Sequence, residues 1–400
     1  MLARLAPPRV VNIADLRRLA RGRLPRVVFD YIDGGAEDEV TMRENERVYD
    51  DVVLRPRGAV RPVDVDLTTT VLGTPLALPF ALAPVGSTRL FWPHGEELAA
   101  KAAHAASTAY SLSTLSGTSV DDVRAASSGP LWYQLYLMGG HDVALKSIAR
   151  ARAAGASALM VTTDTAVAGM RERDLRNGIK ALLGPMSIGK IRHGVQFLMK
   201  PAWFLGFLMD GGLMKFPNVV LEDGPMGYVD VGPALENAAV TWDDFRWIRE
   251  VWGPGPIVAK GVHTGEDALR AIDAGADAVV VSNHGGRQLD GVAGTLRMLP
   301  EVVAAVDGRA EVLLDGGIRR GSDVVKALCL GAKAVLIGRA YAYGVGAGGE
   351  AGVTRAIEIL RAEIVRTMKL LGCASTSELG PEFVDVPDSW LKGDVARLRS

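Results

Sequence analysis

Short runs of apolar and β-branched residues recur along the chain, and several are followed by stretches with the signature of an amphipathic helix. The runs are Pro79–Ala83, Ala109–Ser113, Leu131–Tyr136 and Ala158–Thr163. After a long gap come Pro256–Lys260, Ala278–Ser282, Glu311–Asp315 and Ala334–Gly338, so eight strands are predicted. Most of them read as continuous apolar runs, which is the pattern of strands covered on both faces by crossover helices. Between them, Glu96–Ser107 is alanine-rich and opens on acids. Gly265–Gly275 carries Glu266 and Asp267 in its first turn, and Ser322–Gly331 opens on Ser322-Asp323 and closes on glycine. These read as helices with their ends marked.

Alternating strand and helix leaves two α/β architectures, a closed parallel (β/α)₈ TIM barrel and a doubly wound open sheet. The residues at the strand ends separate them. Gln134 and Tyr136, Thr162 and Asp164, Lys260, Ser282 and His284, Asp315, and Gly338-Arg339 are all chemically capable. A closed barrel opens every one of those ends onto a single face, where barrel enzymes build their sites. The reading is one domain over residues 1–400, with the barrel at about 76–372. A helical segment precedes it, and a helix at Val353–Leu371 and a polar tail follow. The connection after strand four, Thr165 to Gly255, is far longer than an ordinary crossover, so its core at about 175–245 is predicted to be an insert or lid over the site.

Composition narrows the class. The chain has 400 residues, 48% apolar and 23% charged, which is an ordinary globular balance. Lys and Arg number 45 against 46 Asp and Glu, a formal charge of −1, and no overall attraction to nucleic acid is implied. Cys329 and Cys373 have no CxxC or Cys/His neighbours, so neither a disulfide framework nor a structural metal site is expected. The first residues lack the apolar core of a signal peptide, and a cytoplasmic setting is expected. The most apolar stretch, Phe197–Met209, is broken by Lys200 and Pro201 and falls short of the roughly 18 residues a spanning helix needs.

The motifs carry the chemistry. Asp315-Gly-Gly-Ile-Arg319-Arg320-Gly and Ile337-Gly338-Arg339 follow strands seven and eight, where barrels commonly bind phosphate through backbone amides and a helix N-terminus. Ser282-Asn-His284-Gly-Gly-Arg287 ends strand six. Its histidine can take a proton and its arginine can clamp a carboxylate, which suits deprotonation of an anionic substrate. Lys260 places a charge inside the barrel mouth and needs an anionic partner. Asp164 is placed to orient the histidine, and Arg171 to supply a second cation. Arg173 and Asp174 read as a surface ion-pair network. Gly344-x-Gly346-x-x-Gly349 matches the dinucleotide fingerprint in form, but no strand leads directly into it and no second strand follows, so it is set aside.

Together these segments resemble the FMN-dependent α-hydroxy-acid oxidising enzymes, the family of glycolate oxidase, lactate oxidase, mandelate dehydrogenase and the flavin domain of flavocytochrome b2. The resemblance runs from Asp30-Tyr31-Ile-Asp-Gly-Gly-Ala-Glu37 through Ala83-Pro84-Val85-Gly86, Gln134-Leu-Tyr136, Thr162-Thr-Asp-Thr165 and Lys260-Gly261. It continues through Ser282-Asn-His-Gly-Gly-Arg-Gln-Leu-Asp290, Asp315-Gly316-Gly317-Ile-Arg319 and Ile337-Gly-Arg339 to Gly372-Cys373; only the insert and the tail fall outside it. It implies FMN as cofactor and oxidation of an L-2-hydroxy acid to the 2-keto acid. His284 would be the base, Asp164 its orienting carboxylate, Arg287 and Tyr31 the substrate-carboxylate ligands, Tyr136 a partner of the substrate hydroxyl, and Arg171 a second, mobile arginine. For the flavin it implies Lys260 at the N1 edge, where a fixed ammonium stabilises developing negative charge. Pro84, Val85, Gly86, Ser113, Gln134, Thr162 and Ser282 would surround the ring and ribityl chain. Asp315, Gly316, Gly317, Arg319, Gly338 and Arg339 would hold the ribityl-phosphate end. Loss of the α-proton and loss of the hydroxyl proton call on the same residues.

Gly86 stands where many of the oxidases have alanine; a glycine there resembles mandelate dehydrogenase, which implies a quinone or another carrier rather than O2 as electron acceptor. Leu115, Ile32 and Met170 give an apolar lining suited to a substrate larger than glycolate. Val195–Met214, with Arg192, His193, Lys200 and Lys215 at its edges, suits a peripheral membrane contact over 192–215, and equally a lid or a contact in the homotetramer usual for the family. The competing readings are a family member acting on a larger, peptide-derived substrate, a non-redox FMN barrel isomerase, and a flavin-binding scaffold; the intact His284, Arg287 and Tyr31 set argues against the last two.

Overall fold

The computed structural model describes residues 9–60, 64–178, 188–236 and 238–390, and the side chains of 188–192, Arg192 among them, lie outside that description. Three helices lead in: α1 (Ile13–Arg23), α2 (Arg26–Asp33) and α3 (Val40–Asp51). Asn12 caps α1, its side chain accepting from the Asp15 amide while the Asp15 carboxylate accepts from the amides of Val11 and Asn12. A short hairpin, Thr69–Val71 with Thr74–Leu76, then plugs the N-terminal mouth of the barrel, and Val71, Leu72 and Leu76 join its interior.

The barrel strands are β1 (Phe80–Leu82), β2 (Tyr110–Ser113), β3 (Leu131–Leu135), β4 (Ala158–Thr162), β5 (Ile257–Val262), β6 (Ala278–Val281), β7 (Glu311–Asp315) and β8 (Ala334–Ile337). All neighbours are parallel and in sequence order, and β8 pairs with β1 through Leu336 opposite Ala81, which closes the sheet. The eight runs read from the sequence are these strands, and the fold is an α/β TIM barrel. Inward-facing side chains mix large and small: Trp132, Met160, Leu313 and Leu336 fill the lumen beside Ala81, Ala109, Ala158, Ala278 and Ala334. The outward faces pack on the helices in a second, larger core.

The crossover helices begin with α4 (Gly95–Ala105), α5 (Val120–Ala126) and α6 (His141–Ala153); α7 (Glu172–Arg176), α8 (Ile188–Leu198), α9 (Pro201–Met209) and α10 (Val231–Glu236) lie in the long connection after β4. The remaining crossovers are α11 (Asp244–Trp252), α12 (Gly265–Asp273), α13 (Thr295–Val306) and α14 (Gly321–Cys329), with α15 (Arg339–Leu371) closing the chain. Predicted to begin at Val353, α15 in fact starts at Arg339 and bends at Gly348–Gly349. The glycines of the GxGxxG match therefore lie in and around a helix. A Cβ at Gly346 would press on Ala20 and Leu24 of α1, so the missing side chains allow close helix packing. Among the described residues no helix is long and apolar enough to cross a membrane.

Candidate active site

At the C-terminal face the strand ends surround a cavity of about 630 Å³. All the site residues expected from the sequence line it except Asp164, Gln134, Thr162 and Ser282; Asp164 and Ser282 reach it through the lining residues His284 and Lys260. Gln134 Nε2 donates to Thr162 Oγ1 at 2.7 Å, tying β3 to β4, and both are buried. The apolar lining expected from Ile32, Leu115 and Met170 is present in the same wall.

Three consecutive left-handed residues end β6: His284 (φ 57°), Gly285 (66°) and Gly286 (73°). Glycine takes that conformation freely and histidine does not, so the turn holds His284 at some cost, as functional sites commonly do. The imidazole is gripped from both sides. Nδ1 lies 3.1 Å from Asp164 Oδ1, and Nε2 lies 3.2 Å from the Tyr136 hydroxyl. Burial works to raise the Asp164 carboxyl, but His284, followed by Lys260, outweighs it and holds the group below its ordinary value. Asp164 is then a carboxylate and accepts only, so Nδ1 donates to it, and Nε2 is the nitrogen turned to Tyr136 and the cavity. Asp164 can sit this close because β5 bulges between Lys260 and Val262. At the bulge Gly261 has φ 106°, and a Cβ there would come within 2.7 Å of the Asp164 side chain.

Lys260 is buried and finds the anion it requires: Nζ lies 2.9 Å from Asp315 Oδ2 and donates to Ser282 Oγ at 2.9 Å. Burial alone would lower the ammonium's pKa, but the carboxylates of Asp315 and Asp164 win and raise it, so the charge persists. Arg287 donates to the carbonyls of Tyr31 (2.6 Å) and Gly34 (3.1 Å). Its guanidinium lies over the Tyr31 ring at 5.0 Å and that of Arg171 at 5.9 Å, which brings two cations to one aromatic ring. Burial and then Arg171 push Arg287 down to about 10, the mark of a cation still short of an anion. Of the two residues read as surface ion pairs, Asp174 departs from that reading: it lines the cavity, 3.3 Å from Arg171. Arg173 binds Asp33 (2.9 Å) and Glu39, which are largely buried.

The residues present fit a flavin mononucleotide. Asp315 Oδ1 is buried with no partner among the described residues. A Cβ at Gly338 would meet nothing closer than 3.9 Å, so the backbone there lies open. Gly316 and Gly317 have φ of 104° and 76°, and a Cβ at Gly317 would strike the Asn45 carbonyl at 1.8 Å, so only glycine seats this turn. Beyond it, Arg339 is held by the carbonyls of Ile32, Gly34 and Gly285 and has no carboxylate in ion-pair contact among the described residues. Arg319 pairs with Glu46 at 2.8 Å. Two arginines and a glycine turn at the ends of β7 and β8 suit a dianionic phosphate. Gln288 and Tyr228 are among the lining residues to which the sequence assigned no role. Gln288 Nε2 holds the carbonyls of Asp164 and Val167, and Tyr228 reaches in from the insert. Gln288 stood inside the SNHGGRQLD block; Tyr228 lies in a segment without a period or motif.

The insert covers one side of this cavity, with Tyr228, Val231 and Leu235 in its wall, as expected of a lid. Its helical part faces two ways. Trp203 stacks between Phe197 and Phe207 and donates from Nε1 to the Leu90 carbonyl, whereas Leu198, Met199, Leu205, Leu208, Met209 and Leu213 are exposed.

Comparison with known proteins agrees with this geometry. Residues 20–386 match the family described as FMN-dependent dehydrogenase. The chain is 45% identical over 381 residues to an L-lactate dehydrogenase of Caulobacter vibrioides, covering 92% of this chain and 96% of that one. It is 41% identical over 378 residues to an L-lactate oxidase of Nostoc sp., covering 94% and 98%. Among solved structures it is similar to the monotopic membrane protein (S)-mandelate dehydrogenase, with TM-score 0.87 and 37% identity over 94% of this chain and 99% of that one.

Proposed function

The chain belongs to the FMN-dependent dehydrogenase family and is an FMN-dependent oxidoreductase that converts a 2-hydroxy acid to the 2-keto acid; on that premise we propose the roles of its residues, the size of its substrate and its acceptor. The observation that carries the reading is the chain Asp164–His284–Tyr136 beside the paired cations Arg171 and Arg287 on the Tyr31 ring. Arg287, Arg171 and Tyr31 bind the substrate carboxylate. His284 Nε2 takes the substrate proton, and Asp164 stabilises the imidazolium that results. Tyr136, whose phenol is kept protonated by burial and then by Asp164, donates to the substrate oxygen. Lys260, clamped by Asp315 and Ser282, holds a positive charge beneath the reacting groups. FMN, held by Lys260, Gln134, Ser113 and the turn from Asp315 to Arg319 with Gly338 and Arg339, supplies the two-electron acceptor. The apolar wall of Ile32, Leu115 and Met170 supports an L-2-hydroxy acid with a side chain between those of lactate and mandelate. Gly86 supports a quinone or carrier as final acceptor. Anaerobic bleaching of the flavin absorbance by a panel from glycolate to mandelate tests this: bleaching by lactate- or mandelate-like acids with slow recolouring in air is expected, and no bleaching by any of them overturns it.

A second reading concerns place. The outward leucines and methionines of α8–α9 are exposed, Met209 by 87%, and one similar structure is described as monotopic. A helix pair that is apolar on both faces asks for a partner. We infer peripheral contact with a membrane interface through 192–215, tested by sedimentation with anionic vesicles. Loss of binding in Leu208→Glu/Met209→Glu is expected, and binding unchanged by that pair would overturn it. The homotetramer rests on the family resemblance and is checked by sedimentation velocity.

A further inference from the structure

Tyr228 opens the 3₁₀ turn Tyr228–Asp230 in the insert. Its ring packs on Phe216 at 5.8 Å, beside the cluster of Met214, Phe216, Met226 and Leu235 that also buries Tyr136. The side chain is partly buried and lines the cavity, yet its hydroxyl has no hydrogen-bond partner among the described residues. Its surroundings are not apolar. It lies in the field of Tyr31, Asp174, Arg171 and Arg287, and burial, followed by Tyr31 and Asp174, keeps the phenol protonated as a donor. Two arginines against one carboxylate leave this corner net positive, and a free phenolic donor beside it lacks only an acceptor oxygen.

We propose that Tyr228 contacts the substrate, its phenol donating a hydrogen bond to the carboxylate of the 2-hydroxy acid, so that the insert completes an anion site begun by Arg171, Arg287 and Tyr31. The insert then recognises the shared carboxylate as well as enclosing the variable side chain. This rests on the 2-hydroxy-acid reading above.

The test is Tyr228→Phe in the full-length holoprotein. Because the hydroxyl has no protein partner, the melting temperature and FMN retention are expected to stay as in the wild type. KM for the hydroxy acid and Kd for its keto acid are expected to rise roughly tenfold, the usual worth of a hydrogen bond to a charged group, with a much smaller change in the limiting rate of anaerobic bleaching. A second measurement does not depend on perfect folding: the ratio of affinities for the keto acid and for its neutral amide, read by perturbation of the flavin spectrum in each protein. That ratio is expected to fall in the variant. Equal loss for acid and amide, or unchanged KM and Kd, would overturn the proposal while leaving the reaction class intact. Failure of the wild type itself to bleach with any 2-hydroxy acid would instead overturn the reading on which it rests.

Discussion

His284 shows how much one residue's surroundings decide. A histidine on an ordinary turn would rotate and exchange tautomers freely; here Asp164 holds Nδ1 and the left-handed turn holds the ring. Replacing it by glutamine keeps a polar group of similar reach but removes the basic nitrogen. His284→Gln is expected to slow anaerobic flavin reduction by about 10²- to 10⁴-fold, the usual worth of a positioned base, while FMN stays bound because Lys260, Asp315 and Arg339 are untouched. Stopped-flow absorbance measures both, and near-normal reduction would remove His284 from the mechanism. Residues of this kind were legible because a barrel strand aims its last side chains at one face, so an apolar run followed by a polar residue announces the site. Tyr228 and Asp174 were not, because residues of the long connection after β4 reach the cavity through tertiary contacts that leave no local pattern.

Among elements, the eight strands showed themselves by burial on both faces, and α4, α12 and α14 by their marked ends. The insert was legible as a length and an apolar patch, but its attachment was not, since that depends on side chains far apart in sequence. Arg89, just past β1, donates from Nε to Asp210 Oδ2 at 2.5 Å at the end of α9 and also binds the Asp210 carbonyl. It lies in the loop that carries Gly86, whose carbonyl accepts from the Tyr31 hydroxyl at 3.4 Å. The pair therefore ties the insert to the wall of the cavity. Among the described residues, Arg89→Ala leaves the buried Asp210 carboxylate with only a 3.6 Å approach from the His94 ring. The expected cost is about 1–3 kcal/mol, felt mainly by the insert. Limited proteolysis should then cut within 197–214 faster than in the wild type, with KM raised and the barrel intact. An unchanged digestion pattern would show that Trp203 and the aromatic stack hold the insert without this pair.

At the scale of the whole molecule, one carboxylate ties the N-terminal helices to α7 and to the C-terminal helix α15. Asp33 ends α2 and accepts from Arg17 of α1 at 2.5 and 2.8 Å, from Arg173 of α7 at 2.9 Å and from the Tyr343 hydroxyl of α15 at 2.8 Å. Burial opposes ionisation, yet Arg17, Tyr343 and Arg173 outweigh it and bring the carboxyl down to about 2. A carboxyl depressed in the fold below its unfolded value of about 3.9 stabilises fully at higher pH, and that share is lost as pH falls from about 4 towards 2. The shift corresponds to about 2.5 kcal/mol, reduced to about 1–2 because Arg17 and Arg173 are partly open to solvent. Asp33→Asn is accordingly expected to unfold at lower urea than the wild type at pH 7, and the two midpoints should converge as pH drops below 4. Wild-type and variant midpoints that run parallel from pH 7 to pH 3 would mean that Asp33 is not the group whose titration loosens this junction. Arg319 lies over the Tyr343 ring at 5.9 Å, so the same loosening reaches the phosphate end of the cofactor site, and FMN release is expected to rise over that same acid range in the wild type but to be flatter with pH in the variant.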